Sequence, residues 1–319
     1  MNLIEQATRR LEELERVGIT VPWDAARIGL DNASVPLASM FARVVPSTPA
    51  GGAWVAHDAE ADNRAATAAS EPAQPRCTVQ LDLTRLGDNG YLVPSQKRSE
   101  MAEQFRHIKR SLLKNARHPD AGRGLRNKHL MVTSALPGEG KTFCSVNLAM
   151  SMAMEVDTAV ILVDADVIRP SVFDRLGLSA SVDAPRGLLD YLAGRETDLG
   201  QLLVATNVRK LLLMSTGPAS SQSSELLASA SMDRLLDQFT AQYPDHVVIF
   251  DAPPVLVTTE STVLAGKVGQ VLMVVESGKT PKTAVKQAFD ALRHCPAVST
   301  LLNKCDTPTA GRQYRYYYG

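Results

Sequence analysis

The feature that most constrains the fold of this 319-residue chain is a short loop of small residues, ALPGEGKT (135–142). It follows an apolar run, HLMVTS (129–134), and precedes a helical segment (141–154). Small residues allow successive backbone N–H groups to turn inward and hold phosphate oxygens. In this spacing Lys141 reaches the β- and γ-phosphates of a nucleotide, and the hydroxyl of Thr142 ligates Mg²⁺. The loop therefore predicts a site for ATP and Mg²⁺ between a strand and a helix.

Apolar runs typical of strands buried on both faces recur after this loop, and helical patterns at 223–241 and 280–293 lie between some of them. This alternation predicts an α/β fold with a doubly wound, mostly parallel sheet of the P-loop NTPase type. The further predicted strands are AVILVD (159–164), KLLLMS (210–215), HVVIFD (246–251), VLMVVE (271–276) and VSTLLN (298–303).

Composition divides the chain into four parts. Residues 1–30 form an N-terminal helical segment whose apolar residues recur at helical spacing, which predicts either a helix packed on the domain or one that docks on a partner. Residues 31–95 are rich in Ala, Pro and Ser and predict a flexible linker, in which Trp54 has no assigned role. Residues 96–308 are the predicted P-loop domain, and residues 309–319 are a tail.

Charge and cysteine content narrow the possible partners and compartment. Lys plus Arg equals Asp plus Glu, at 34 each, so the overall charge predicts no nucleic-acid partner. The four cysteines form no CxxC pair, which argues against a disulfide framework and favours a reducing compartment. The N-terminus has no apolar signal region, and no apolar stretch is long enough to span a bilayer. These observations predict a cytoplasmic protein.

Two predicted strands end in aspartates beside the loop. Asp251 lies where a Walker B aspartate belongs, holding Mg²⁺ directly or through water. Asp164 and Asp166 share one face if their strand continues, so that one orients metal-bound water and the other acts as base. A single aspartate at a strand end often only caps a helix, but three of them together with the loop favour a phosphoryl-transfer site.

The last six residues contain four of the seven tyrosines, Tyr314, Tyr316, Tyr317 and Tyr318. Aromatic residues are otherwise scarce, and an exposed aromatic cluster invites association. Chemical modification of the tail would explain this cluster, and the nucleotide bound by the phosphate loop would then be the phosphate donor. Each phosphotyrosine adds about −1.5 to −2 charge, so modification reverses the sign of a tail that carries Arg312 and Arg315.

The order of these motifs resembles a known family. The loop, VILVDADVIRP, VIFDAPP and the tyrosine tail together resemble the bacterial tyrosine kinases (BY-kinases) of capsule and exopolysaccharide synthesis, over roughly residues 96–319. The N-terminal helix and linker resemble the autokinases of exosortase (PEP-CTERM) loci. The resemblance implies autophosphorylation of the tail in trans, regulation of exopolysaccharide polymerisation or export, and protein substrates in that synthesis. It also implies a transmembrane co-polymerase as activator and recruitment to the inner face of the cytoplasmic membrane.

The resemblance also implies residue roles. Asp164 is then the base toward the tyrosine hydroxyl, Thr142, Asp166 and Asp251 organise the metal, and Arg169 supports the site or a subunit contact. Asn303 lies where related ATPases read the adenine, although a strand-end asparagine is also a routine turn residue. The predicted nucleotide-binding residues are Pro137, Gly138, Glu139, Gly140, Lys141, Thr142, Phe143 and Asn303.

A family element for subunit contact, Glu-x-x-Arg-x-x-Arg, matches Glu103, Arg106 and Lys109, with lysine in the third position. Residues three apart share a helix face, so the charged stripe is kept. The stripe predicts a homo-oligomer, with a ring as one arrangement, because the family assembles through it. The alternative is a solvated charged face.

Two other functions fit the same loop. Switch ATPases of the MinD/ParA type share the predicted fold and use nucleotide to control dimerisation without phosphorylating protein. Their signature lysine falls at Leu136, so it is missing, and they have no need of a tyrosine tail. A non-catalytic scaffold that regulates a polysaccharide polymerase is the other alternative, and the intact aspartates weigh against it.

Overall fold

The computed structural model describes residues 74–96, 99–117, 124–178, 186–220 and 222–305. The predicted N-terminal helix, Trp54 and the tyrosine tail lie outside these residues, as does most of the predicted linker. Four of the six predicted strands agree with the structure at both ends, and the other two differ by one residue at one or both ends.

The described residues form one eight-stranded sheet in the order β1-β4-β5-β3-β6-β2-β7-β8. All neighbouring strands are parallel except β4 and β5, which are antiparallel. The mostly parallel α/β prediction is therefore confirmed. The strands are β1 (Cys77–Val79), β2 (His129–Ser134), β3 (Ala159–Asp164), β4 (Leu203–Thr206), β5 (Leu211–Met214), β6 (His246–Asp251), β7 (Gln270–Glu276) and β8 (Val298–Asn303).

Helices cover both faces of the sheet. Alternate residues of each strand point to opposite faces, so an apolar core forms between the sheet and the helices on each side. The predicted helix at 223–241 is two helices, which meet at Ser229. The helices are α1 (Leu83–Asp88), α2 (Glu100–Arg117), α3 (Lys141–Ala153), α4 (Val172–Arg175), α5 (Leu188–Leu192), α6 (Leu199–Leu202), α7 (Ser223–Ala228), α8 (Ala230–Gln242), α9 (Thr259–Ala265) and α10 (Lys282–Ala291), and a 3₁₀ helix spans Gly124–Lys128. None of the helices in the described part of the chain combines the length and hydropathy that crossing a bilayer requires.

The structure corrects the predicted boundary between linker and domain. Residues 74–95 belong to the predicted linker, yet they contain β1, which pairs with β4, and α1. The turn after α1 is fixed to the helix of the phosphate loop, since the backbone N–H of Leu92 donates to Asn147 Oδ1 at 2.6 Å. Leu92 and Val93 are buried in the core. The prediction failed because Ala- and Pro-rich residues before 74 dominate the average composition.

Two short strands, β1 and β4, were not predicted from the sequence. β1 has three residues and β4 has four, so neither is long enough to give a clear alternation or a continuous apolar run. β1 is an edge strand, and β4 lies between β1 and β5 and runs antiparallel to β5. They extend the sheet on the side away from the phosphate loop.

Strand order brings the predicted site together. β3, β6 and β2 are neighbours, and all three end at the same edge because they are parallel. Asp164 at the end of β3 lies opposite Asp251 at the end of β6. β8 ends at the same edge, beside β7, and brings Asn303 to the phosphate loop. In doubly wound sheets ligands bind outside the carboxyl ends of strands, which is where these residues lie.

Candidate active site

The phosphate loop joins β2 to α3 and needs two glycines in the left-handed region. Gly138 has φ 85° and Gly140 has φ 97°. A Cβ atom on Gly140 would lie 2.2 Å from Asn303 Nδ2, so a side chain cannot fit there. The loop borders a cavity of about 740 Å³, which is also lined by residues from the ends of β3, β6 and β8. The cavity is large enough for a nucleotide-sized ligand.

Asp251 lies at the centre of this site and is fully buried. Thr142 Oγ1 donates to its Oδ2 at 2.7 Å, and Ser145 Oγ donates to its Oδ1 at 2.9 Å. Lys141 Nζ is 3.9 Å from the same Oδ2. Burial raises the pKa of Asp251, and Lys141 and the two hydroxyls act in the opposite direction. Ser145 was not predicted, although its place one helical turn after Lys141 puts it on the same face of α3.

Lys141 forms its close ion pair with Asp166, whose Oδ2 is 2.7 Å from Nζ. Burial lowers the pKa of Lys141, but Asp251 and Asp166 raise it by more, so its pKa lies above the ordinary value. The lysine is therefore protonated at neutral pH. The other oxygen of Asp166 accepts the backbone N–H of Arg169 at 3.0 Å, and both residues line the cavity.

Asp164 has a different environment from the one predicted. β3 ends at Asp164, so the strand does not continue and the two aspartates do not share a face. Its Oδ2 accepts the N–H groups of Ser171 and Val172, each at 2.9 Å, and thus caps α4. Asp164 is 1% exposed and does not line the cavity. Burial, together with the charge of Asp251, raises its pKa to about 7.

Glu139 holds the loop through its side chain, a role that the sequence analysis did not foresee. Its carboxylate is buried and accepts the N–H of Leu136 at 2.7 Å. Thr280 donates its hydroxyl to the other carboxylate oxygen. Glu139 therefore ties the start of the loop to the segment between β7 and α10.

Residues from the predicted linker also reach the cavity. Tyr91 is buried, and its ring centroid lies 5.1 Å from that of Phe143, which was predicted as a nucleotide-binding residue. Tyr91 lines the cavity together with Arg175. Burial raises the pKa of Tyr91, whereas its hydrogen bond with Arg175 lowers it. The sequence before residue 96 did not predict the contact between Tyr91 and Phe143, because a single tyrosine forms no periodic pattern.

The predicted subunit-contact stripe is only partly on the surface. Glu103 is exposed and pairs with Arg106. Lys109 is buried, donates to the backbone oxygen of Ser151 at 2.6 Å and pairs with Glu155 Oε1 at 2.7 Å. This burial argues against the subunit contact predicted for Lys109, because its ammonium joins α2 to the end of α3.

The oxygen donors around the loop fit a small hard cation. Thr142 Oγ1 lies within hydrogen-bonding distance of Asp251 and also 3.0 Å from Ser171 Oγ, and the carboxylate of Asp166 faces the same cavity. Mg²⁺ is usually held by one or two carboxylates together with nucleotide phosphates, so no dedicated cage is needed. Accordingly, the described residues hold no cluster of three or more His, Cys, Asp or Glu side chains suited to a metal.

The loop, the buried Asp251 and the mostly parallel sheet define a P-loop nucleotide-binding protein. No protein-family model matches the sequence. The chain is 34% identical over 168 residues to the tyrosine-protein kinase YwqD of Bacillus subtilis, which covers 53% of this chain and 68% of YwqD. The kinase domain of the Escherichia coli tyrosine kinase ETK superposes with a TM-score of 0.52 and 27% identity, covering 64% of this chain and 77% of that domain.

The chain belongs to the bacterial tyrosine-protein kinases. This confirms the resemblance found in the sequence and supports the kinase prediction over the switch ATPase. Some relatives are much longer: the chain is 34% identical over 195 residues to EpsB of Ralstonia nicotianae, which is 60% of this chain but 24% of EpsB. The exosortase-associated subtype stays a prediction.

Proposed function

We propose that this protein is an ATP- and Mg²⁺-dependent tyrosine autokinase that phosphorylates Tyr314, Tyr316, Tyr317 and Tyr318 of another copy. The observation that carries the proposal is the convergence of Lys141, Thr142 and Asp166, which line one cavity, on the buried carboxylate of Asp251. The family membership supports the kinase reaction, and the tyrosine cluster supplies an acceptor on the same chain.

The side chains of the site have separate roles in the proposed phosphoryl transfer. The loop amides and Lys141 bind the phosphates, and the ammonium leaves Asp166 when it turns to them. Asp166 lines the cavity and is then free to accept the proton of the tyrosine hydroxyl. Mg²⁺ held by Thr142 and Asp251, with Asp166 close by, would neutralise charge on the transferred phosphoryl group.

This assignment moves the role of base from Asp164 to Asp166. Asp164 accepts backbone N–H groups with both carboxylate oxygens, since Asp166 N donates to its Oδ1 at 3.3 Å and two further N–H groups donate to its Oδ2. We propose that Asp164 positions the segment between β3 and α4, which carries Asp166 and Arg169. Asn303 would approach the adenine from the end of β8, beside the loop.

Phosphate mapping tests the proposal directly. Purified protein is incubated with Mg·ATP, and phosphate is located by mass spectrometry. We expect phosphate on the C-terminal tyrosines of the wild type, none in Lys141→Met, and none on the tail of a four-Phe variant. Lys279→Met is a matched control, because Lys279 is exposed and pairs only with Glu276 among the described residues. ATP hydrolysis without tail phosphate would overturn the proposal in favour of a nucleotide switch.

Mixing two variants tests transfer between copies. Lys141→Met keeps the tail but lacks the loop lysine, whereas the four-Phe variant keeps the site but lacks acceptors. Phosphate on the tail of Lys141→Met in the mixture is the result expected for transfer in trans. If the tail stays unmodified in the mixture while wild type modifies its own, transfer is in cis.

We further propose that the kinase acts in exopolysaccharide polymerisation or export. A transmembrane co-polymerase would recruit it to the inner face of the cytoplasmic membrane. Proteins of that synthesis are further substrates in this proposal, and the protein works as a homo-oligomer with Glu103 and Arg106 on its contact face. The resemblance of the motifs supports this setting, and co-purification with a membrane co-polymerase from the native cells tests it. An oligomer mass that is unchanged when Glu103 and Arg106 are both replaced by Ala would remove them from the oligomer contact.

A further inference from the structure

The phosphate loop has outward-facing carbonyl groups that two consecutive side chains engage. When loop amides turn inward to a phosphate, the carbonyls of the same peptides turn outward and need donors. Asn303 Nδ2 donates to the backbone oxygen of Glu139 at 2.9 Å, and Lys304 Nζ donates to that of Gly138 at 2.7 Å. The residues at and directly after the end of β8 therefore hold two neighbouring peptides of the loop.

Lys304 is itself fixed in place from two sides. Its ammonium lies 3.1 Å from Glu276 Oε2 at the end of β7, and Glu276 is only 13% exposed in its side chain. The hydrogen bond from Lys304 lowers the pKa of Glu276, so the carboxylate is ionised at neutral pH. The backbone of Lys304 has φ 56°, a left-handed conformation that is uncommon for a residue with a long side chain. Such a conformation persists only where surrounding contacts determine it.

We propose that Lys304 is a positioning residue of the nucleotide site, which holds the Gly138 peptide of the phosphate loop in its phosphate-binding orientation. The inference rests on the proposed binding of ATP by that loop. Lys304 also lines the cavity, so it acts where the nucleotide enters. In the sequence it stands ten residues before Tyr314.

A neighbouring lysine offers a matched comparison. Lys279 Nζ lies 3.4 Å from the other oxygen of Glu276 and is 75% exposed. It thus shares the carboxylate partner of Lys304 but does not line the cavity. Loss of an ion pair with Glu276 is common to both Lys→Met variants, whereas loss of the hydrogen bond to the loop occurs only in Lys304→Met. Lys304→Arg keeps a charged donor at the position.

The test measures binding of Mg·ADP by calorimetry in the full-length protein, and the KM for ATP and kcat of tail phosphorylation. We expect Lys304→Met to weaken Mg·ADP binding and raise KM about tenfold, as loss of a charged hydrogen bond suggests, with kcat changed much less. Lys279→Met should match wild type, and Lys304→Arg should recover most of the affinity. Thermal unfolding of each variant verifies that the domain is folded.

The outcomes separate this inference from the proposed function. Wild type that binds no Mg·ADP would overturn the proposed function itself. Wild type that binds, together with Lys304→Met of equal affinity and KM, would overturn only the role of Lys304. Equal losses in Lys304→Met and Lys279→Met would also overturn it, because the effect would then come from Glu276 and not from the loop. A fall in kcat at unchanged KM would assign Lys304 to a later step and contradict positioning for binding.

Discussion

Thr142 donates its hydroxyl to Asp251 at 2.7 Å, joining the first turn of the helix after the phosphate loop to the end of β6. Ser145 reaches the other oxygen of the same carboxylate from the next turn. Asp251 is therefore held by two hydroxyls before any nucleotide binds. A carboxylate that is fixed in advance loses little entropy when it organises a metal, which is how a buried acid serves catalysis.

Asp251→Asn separates function from stability at this position. The amide lacks the charge needed to organise Mg²⁺, so we expect tail phosphorylation to fall on the order of 100-fold or more. Stability at neutral pH should be unchanged or higher, because the substitution removes a buried charge. Phosphorylation rates and urea unfolding at pH 7 check both. An active Asp251→Asn variant would remove Asp251 from the mechanism.

Asp166→Asn and Asp164→Asn should differ in their effect on proton transfer. If Asp166 accepts the tyrosine proton, Asp166→Asn loses the acidic limb of the pH–rate profile together with most of kcat. Asp164→Asn should keep that limb at reduced rate, since Asp164 acts by capping α4. The pH dependence of kcat measures this. An acidic limb that disappears only in Asp164→Asn would return the role of base to Asp164.

Lys109→Met should destabilise the domain without changing oligomer mass. The substitution leaves the backbone oxygen of Ser151 without its charged donor and breaks the pair with Glu155. We expect a loss of about 1.5–3 kcal/mol in the free energy of unfolding. The exposed neighbour Arg110 supplies the control Arg110→Met. A lower oligomer mass in Lys109→Met at unchanged stability would instead place Lys109 in a subunit contact.

Between pH 4 and pH 7 the free energy of unfolding depends on buried titratable groups that act in opposite directions. The pKa of Asp164 is raised from 3.8 to about 7, so its contribution to the free energy of unfolding is complete at low pH and is lost as pH rises through 7. The pKa of Asp251 is also raised, so Asp251 changes the stability in the same direction. His129 has a pKa lowered from 6.5 to about 4 by burial and by Arg126, so its contribution is lost as pH falls through 4. We expect the free energy of unfolding to fall more steeply from pH 4 to 7 in His129→Gln than in Asp164→Asn, as followed by urea unfolding. Identical pH slopes in the two variants would contradict this.

A chain that begins at residue 96 should be much less stable than one that begins at residue 74. The shorter chain lacks β1 and the buried side chains of Leu86, Tyr91, Leu92 and Val93. At about 1.5–3 kcal/mol for each fully buried large apolar side chain, the loss exceeds roughly 5 kcal/mol. Thermal unfolding of the two chains compares them, with the full-length protein as reference. Equal stability would support the boundary expected from composition.

The main elements of the fold and most of the site can be predicted from the amino-acid sequence alone. A glycine loop between a buried strand and a helix has few other uses, and continuous apolar runs specify strands covered on both faces. The positions of Lys141, Thr142 and Asp251 follow from that pattern, because parallel strands end at one edge. Long, strongly patterned elements carry their own signal along the chain, which is why their bounds agree with the structure.

Which side chains face the cavity and which support its walls depends on tertiary contacts. Asp164 and Asp166 are two residues apart, yet one caps α4 and the other meets Lys141, because β3 ends between them. Lys109 and Lys304 are both lysines in charged surroundings, but packing buries the first and brings the second to the loop. These roles depend on contacts between residues distant along the chain, and local sequence patterns carry no information about such contacts.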